Sequence, residues 1–241
     1  MRAKKSEPDF RTEAELCAAF LSWLTRYPEW TPYAETAGWD ILLVHRDGTQ
    51  VGVQAKLKFN MAVLQQTVEG GYGWQETGPD YRAVLVPKDN GIQDICGALG
   101  LTLIRPRKHR RDGFEFEPDF SENSYKRWHF SNPVKRCPLP AYIPDVPAGV
   151  PSPSILSRWK IGALEVSAII EIRGYVTRAD FRRAGVDHRR FEQDWLEAVP
   201  GQPGAWNWKP TAPVFSANHP VVYPQILAEI RKRLLPGETD K

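Results

Sequence analysis

No stretch of the 241 residues approaches the about 20 consecutive apolar residues that cross a bilayer, which excludes a helical membrane protein. The N-terminal MRAKKSEPDF is basic but carries no apolar core of the kind that directs secretion, so a cytoplasmic location is expected. Cysteine is scarce. Cys17, Cys96 and Cys137 are scattered without Cys-x-x-Cys spacing, which argues against a disulfide framework and against a structural zinc site. A charge excess is lacking too. The net charge of +3 is too small to prove a nucleic-acid partner, and it sits in the last part of the chain: residues 154–241 hold 13 Lys and Arg against 10 Asp and Glu (13 − 10 = +3), while the first 153 residues balance.

What is present is the composition of a soluble globular protein, 41% hydrophobic and 25% charged, long enough for one large or two small domains. The stretch Trp39 to Lys58 reads as a β-hairpin. Two apolar runs, Ile41–Val44 and Val51–Val53, flank Asp47-Gly48, a strong short-range hairpin signal. Alternation places Asp40 on one face with Leu42 and Val44, and Gln54 and Lys56 together on a face of the partner strand, so the polar groups are expected to meet. A carboxylate beside an amide oxygen and an ammonium suits metal-assisted phosphodiester cleavage. Asp40 would be the main ligand, with Gln54 or the Ala55 carbonyl supplying a second oxygen to Mg²⁺. Lys56 would orient or help deprotonate the water and stabilise charge on the phosphorane. The alternative for the same spacing is an ordinary ion pair between Asp40 and a snorkelling Lys56.

Further elements bracket this hairpin. Thr12-Glu-Ala-Glu15 before LCAAFLSWL predicts a helix start with a capping box, which gives Glu15 a structural task. Thr31–Thr36 predicts an edge strand, and Glu35, five residues before Asp40, either adds a ligand across the hairpin or faces solvent. Asn60 begins a helix with Met61, Leu64 and Val68 on one stripe, stopped by Gly70-Gly71, and an aromatic loop over 72–79 follows. A strand over 82–86, a helix over 90–99 and a strand over 101–104 complete a strand-helix alternation that argues for an α/β core with a mixed sheet.

This order of helix, Asp40 strand, Gln54-Ala55-Lys56, helix, and strand Tyr81–Val86 resembles the restriction-endonuclease-like PD-(D/E)xK superfamily, in its Mrr-like branch with Gln-x-Lys. The resemblance covers about residues 10–106. It implies a mixed sheet flanked by helices, a Mg²⁺-dependent deoxyribonuclease with Mn²⁺ able to substitute, Asp40 as metal ligand, Gln54 as the variant second position and Lys56 as the catalytic lysine. It also implies an acid from the first helix near the metal. Glu13, on the stripe Glu13, Leu16, Phe20, Leu24, Tyr27, is the better-placed candidate, and its other reading is a first-turn acid favoured by the helix dipole. Trp39 stands where the name-giving proline would be, and Gln54 costs the site one negative charge. Nucleases of this kind often act as homodimers on double-stranded DNA.

The run RPRKHRR from Arg105 to Arg111 offers Arg107 and Lys108 to a phosphate backbone, or is a solvated loop balanced by the acids that follow. Seven prolines between 133 and 153 forbid regular helix and read as a linker or strap. The expected division is therefore 1–132 nuclease-like, 133–153 linker and 154–241 a smaller helical domain. In the last, a helix over 161–172, a Thr177-capped segment ending at Gly185, an Asp187-capped helix with Phe191, Trp195, Leu196 and Val199 buried, and a wing over 205–215 resemble a winged helix-turn-helix domain. That resemblance places His188, Arg189, Arg190 and Gln193 on the exposed start of a recognition helix. A helical scaffold or dimerisation domain is the competing reading. For the whole chain the alternatives to a nuclease are a catalytically inactive DNA-binding protein of that fold and a protein-interaction module.

Overall fold

Local signals and long-range pairing agree over most of the chain. The computed structural model describes residues 10–68, 77–89, 91–108, 114–150 and 156–236. Of the segments read above, Gly70-Gly71, most of the loop 72–79, Arg110, Arg111 and the end of the Pro-rich stretch from 151 to 153 lie outside the described residues, as does the side chain of Lys108. No helix among the described residues is long and apolar enough to cross a membrane. The chain divides into two compact units, one formed by residues 1–141 and 146–153, the other by 142–145 and 154–241.

In the first unit Thr12 caps helix α1 (Glu13–Leu24), its hydroxyl accepting the Glu15 N–H at 3.0 Å, while the Glu15 carboxylate turns back to Arg11 N–H at 2.7 Å. The orphan donors of the first turn are met this way. Strands β1 (Trp30–Thr36), β2 (Trp39–His45) and β3 (Gln50–Ala55) follow as an antiparallel meander. Asp47-Gly48 lies in the β2–β3 connection as its sequence predicts, with Asp47 Oδ1 accepting the Thr49 N–H at 2.8 Å. Asn60 caps α2 (Met61–Val68), which crosses to β4 (Tyr81–Leu85), parallel to β3 with Ala55 opposite Leu85. Helix α3 (Gln93–Ala98) leads to β5 (Thr102–Lys108), parallel to β4, and then to antiparallel β6 (Phe114–Glu117) and the single turn α4 (Glu122–Tyr125). The six strands form one mixed sheet in sequence order.

Each face of the sheet buries its own apolar layer. Leu16, Cys17, Phe20 and Leu24 of α1 pack on Ile41, Leu43, Val53, Ala55 and Leu85, with Phe116, Phe120 and Tyr125 extending the cluster. Val63 and Leu64 of α2 and Cys96 of α3 cover Val84 and Val86 on the other face. Both central strands, β3 and β4, are buried along their whole length, and each large aliphatic side chain so buried contributes about 1.5–3 kcal/mol.

One expectation changes in the first unit. The strand expected to stop at Ile104 continues through Arg105, Pro106 and Arg107 because β6 pairs with it, Arg105 opposite Glu117. Pro106 is tolerated there since pairing to β4 ends at Ile104. Of the two readings of the Pro-rich stretch, linker or strap, its described parts outside 142–145 take the strap, because they find partners in the first unit. Gln50 grips Cys137 with both amide atoms, donating to its carbonyl at 3.0 Å and accepting its N–H at 2.8 Å, and Arg136 pairs with buried Asp80 at 2.8 Å. Residues 142–145 instead belong to the second unit, where Asp145 Oδ1 accepts the N–H groups of Val221 and Val222 at 2.5 and 3.0 Å.

The second unit opens with α5 (Arg158–Arg173), capped by Ser157 and stopped at Gly174. Then come β7 (Val176–Thr177), α6 (Arg178–Ala184), whose capping box joins Thr177 and Asp180, and α7 (His188–Asp194), capped by Asp187. Strands β8 (Leu196–Ala198) and β9 (Ala205–Trp208) form a hairpin, and β7 joins it in the order β7-β9-β8. Helix α8 (Val222–Leu234) closes the unit. The helix expected to run to Val199 ends at Asp194, since Leu196 pairs with Trp208 as a strand; cross-strand pairing outweighs the helical spacing of Trp195, Leu196 and Val199. Ile169, Phe181, Phe191, Trp206, Ile226 and Ile230 make its core.

Candidate active site

The sequence-predicted residues gather where β2 begins and β3 ends. Asp40, second residue of β2, accepts the Ala55 backbone N–H on Oδ2 at 2.7 Å. A residue's N–H and C=O point to the same edge of an extended strand, so the Ala55 carbonyl faces the Asp40 side as well. Lys56 follows directly, its backbone N–H donating to Leu85 O at 3.0 Å, and its Nζ meets Glu13 Oε2 at 2.7 Å. Of the two first-turn acids, Glu13 therefore faces the sheet and Glu15 closes the cap, as their positions on the helix predict. Gln54 is buried and its amide nitrogen donates to Gly38 O at 2.7 Å across the β1–β2 turn. The three side chains expected to meet thus take three different hydrogen-bond partners, Asp40 the Ala55 backbone, Gln54 the Gly38 backbone and Lys56 the Glu13 carboxylate; they share one end of two adjacent strands but not one face, since Gln54, opposite Val84, is on the α2 side while Lys56, past the end of β3, turns to α1.

Glu35 stands opposite Asp40 in the β1–β2 register, between the pairs Ala34–Ile41 and Thr36–Trp39. Its φ of 47° lies in the left-handed region that costs a non-glycine residue energy. The carboxylate so directed accepts the backbone N–H groups of Gly149 and Val150 at 2.7 and 3.3 Å, which ties the returning strap 146–150 to the sheet. Nothing in the sequence marks that partner, 114 residues away. Cys17, one helical turn beyond Glu13, sits among these groups; burial first, then the charges of Asp40, Glu35 and Glu13, push its thiol well above the ordinary cysteine value, so it stays neutral.

Electrostatically the cluster is under-neutralised, with Glu13, Glu35 and Asp40 around one ammonium. Burial raises the Asp40 carboxyl, opposed by the Ala55 N–H and Lys56 and reinforced by Glu13. Burial likewise raises Glu35, opposed by the strap N–H groups and reinforced by Asp40. For Lys56, burial works against the charge, yet the hydrogen bond to Glu13 and the charges of Asp40 and Glu13 outweigh it and lift the ammonium above the usual lysine value. The residues fit a hard cation in kind: one carboxylate, a backbone carbonyl and an amide oxygen, with water for the rest of the shell, as Mg²⁺ accepts. Among the described residues no three of His, Cys, Asp and Glu converge as they would to hold a metal on their own side chains.

The other sequence candidates lie apart from this cluster. Arg107 is exposed but paired with Glu117 at 2.5 Å, and Arg105 pairs with Asp89 at 2.7 Å, so this part of the basic run is matched by acids. In the second unit Arg189, Arg190 and Gln193 of α7 are exposed, Arg190 lying 5.1 Å from the ring centre of Trp159, and half-buried His188 lies 3.6 and 3.8 Å from Asp187 and Glu192. Arg189 and Arg190 occupy the first turn of α7, the helix end that disfavours cations, and Arg190 is accounted for by its place over the Trp159 ring. No family model, curated protein or solved structure matches the chain.

Proposed function

We propose that this protein is a metal-dependent deoxyribonuclease, with a restriction-endonuclease-like unit that cuts phosphodiester bonds and a winged-helix-like unit that engages double-stranded DNA. The observation that carries the reading is the convergence of Asp40, the Ala55 backbone and a fully charged Lys56 at adjoining ends of β2 and β3. Two features of topology support it: helix, three antiparallel strands, helix and parallel strand in the first unit, and helix, strand, two helices and hairpin in the second.

In this reading Asp40, with the Ala55 carbonyl and the Gln54 amide oxygen, would hold Mg²⁺, which would supply screening of phosphate charge and acidification of water. Lys56 acts as a cation. Its raised proton affinity suits stabilisation of charge growing on the phosphorane oxygens and makes it a poor base. Glu13 positions Lys56 through the 2.7 Å contact. Glu35 anchors the strap instead of serving as a ligand. Two copies side by side would cut both strands.

The test is incubation of supercoiled plasmid with the protein and Mg²⁺ or Mn²⁺, beside Asp40→Ala and Lys56→Ala. Cleavage by the parent and loss in both variants is expected; equal cleavage by all three would assign the activity to a contaminant and end the proposal. A catalytically inactive DNA-binding protein is the second reading, favoured by the Gln54 amide being engaged with Gly38. Calorimetry separates the two, since that reading expects no heat at millimolar Mg²⁺ while duplex affinity persists.

A further inference from the structure

Two exposed lysines stand beyond the ends of the adjacent parallel strands β3 and β4, on the side where Lys56 lies. The register pairs Ala55 with Leu85, and Lys58 and Lys88 each follow three residues later. Strands of one sheet run about 4.8 Å apart, so the two chains emerge side by side at the carboxyl ends of parallel strands, the region where open α/β sheets receive ligands. The chain around Lys58 is fixed on both sides: Leu57 packs in the α1-side cluster and Phe59 in the cluster on the opposite face. The backbone therefore crosses the end of the sheet at residue 58, and the ammonium there is exposed. Lys88 follows Val86, buried in the core, and is exposed as well.

Among the described residues Lys58 and Lys88 have no hydrogen-bond or ion-pair partner. The acid next to Lys88 is already engaged, since Asp89 holds Arg105 at 2.7 Å on one oxygen and accepts the N–H groups of Gly91 and Ile92 at 3.0 and 3.1 Å on the other. We infer that Lys58 and Lys88 bind backbone phosphates of a DNA duplex beside the bond to be cut, an inference that rests on the nuclease reading. They are binding residues and not catalytic ones, because the position at the scissile phosphate belongs to Lys56.

The test measures binding of a 20-base-pair duplex to the full chain by fluorescence anisotropy, in EDTA so that nothing is cut, from 50 to 200 mM KCl. Each phosphate contact contributes about 0.9 to the slope of log affinity on log salt. Lys58→Gln and Lys88→Gln are each expected to flatten the slope by about that amount, and the pair by about twice it. Lys126→Gln is the control. Lys126 pairs with Glu122 next to Tyr125, which meets Tyr81 edge-to-face at the other end of β4, and its replacement should leave the slope unchanged. In Mg²⁺ the two variants should raise KM for plasmid and keep kcat. Parent-like slopes in both variants would overturn the inference while leaving the nuclease reading intact. Binding with normal slope effects but no cleavage would sink the nuclease reading and keep the phosphate contacts. A parent protein that binds no duplex at 50 mM KCl would sink both.

Discussion

Replacing Gly149 by alanine probes how firmly the strap is seated over the candidate site. A Cβ at this position would lie 2.9 Å from the carbonyl carbon of Glu13 and 3.0 Å from Cys17 Sγ, and Gly149 has φ of 74°. The left-handed backbone costs a side chain about 1–2 kcal/mol. The clash is with α1 backbone, which cannot swing aside, and overpacking of that sort costs about 1–3 kcal/mol. The sum is about 2–5 kcal/mol, a large share of the ~5–15 kcal/mol that holds a domain together. For a unit of this size it corresponds to a fall in Tm of roughly 6–15 °C. Gly91→Ala is the matched control, with φ of 78° and nothing within 4 Å of its Cβ, and reports the backbone part alone. Both are measured by thermal and urea unfolding. The clash also presses on Glu13, so plasmid cleavage should drop more than the control's. If Gly149→Ala were no less stable than Gly91→Ala, the strap would not be packed on α1 and the described seating would be refuted.

Asp40→Asn should abolish cleavage and yet stabilise the fold at pH 7, within the ~0.5–2 kcal/mol usual for stabilising single replacements. The sign follows from the raised folded-state pKa of Asp40: its ionised form is disfavoured by folding, so stability is fully present below the unfolded value of about 3.9 and is lost as pH rises through the folded one. The Tm advantage of the variant should therefore close as pH is lowered towards 4, and a gap independent of pH between 4 and 7 would contradict the electrostatic account. Glu13→Gln keeps a hydrogen-bonding group but removes the charge that helps to raise Lys56. The alkaline limb of the pH–rate profile should move to lower pH and the rate at neutral pH should fall roughly 10-fold, the scale of a lost supporting contact; an unmoved limb would mean that Glu13 does not act through Lys56.

Much of the first unit was legible because its signals are local. Thr12 and Glu15 mark a cap, Asp47-Gly48 a hairpin, and the apolar runs on either side a buried strand pair. The grouping of Asp40 and Lys56 at one end of that pair follows from the hairpin, but the shared face expected of Gln54 and Lys56 does not hold: Lys56 turns to Glu13 of α1, while Gln54, opposite Val84, lies on the other layer's side. The detail of their contacts did not follow, since Asp40 satisfies the Ala55 N–H and Gln54 the Gly38 carbonyl. Glu35 was readable as an acid near Asp40, but its partners Gly149 and Val150 come from far along the chain. The run from Arg105 to Lys108 looked like a charged loop because it has no apolar alternation, and the pairing with β6, from Arg105 opposite Glu117 to Lys108 opposite Phe114, makes it a strand. In the second unit caps at Ser157, Thr177 and Asp187 fixed helix starts, while the end of α7 depended on Trp208, which no local pattern announces.

The path of residues 141–150 also limits how the gene can be divided. Asp145 supplies the N-terminal cap of α8 and Tyr142 reaches Glu229 at 2.7 Å, yet Gly149 and Val150, further along, return to the first unit. A single cut therefore cannot yield two complete pieces: before 142 it strips the first unit of its seal on Glu35, and after 153 it leaves α8 uncapped. The halves are not interchangeable cassettes, and recombination that swaps one for a foreign counterpart has to carry those residues with both.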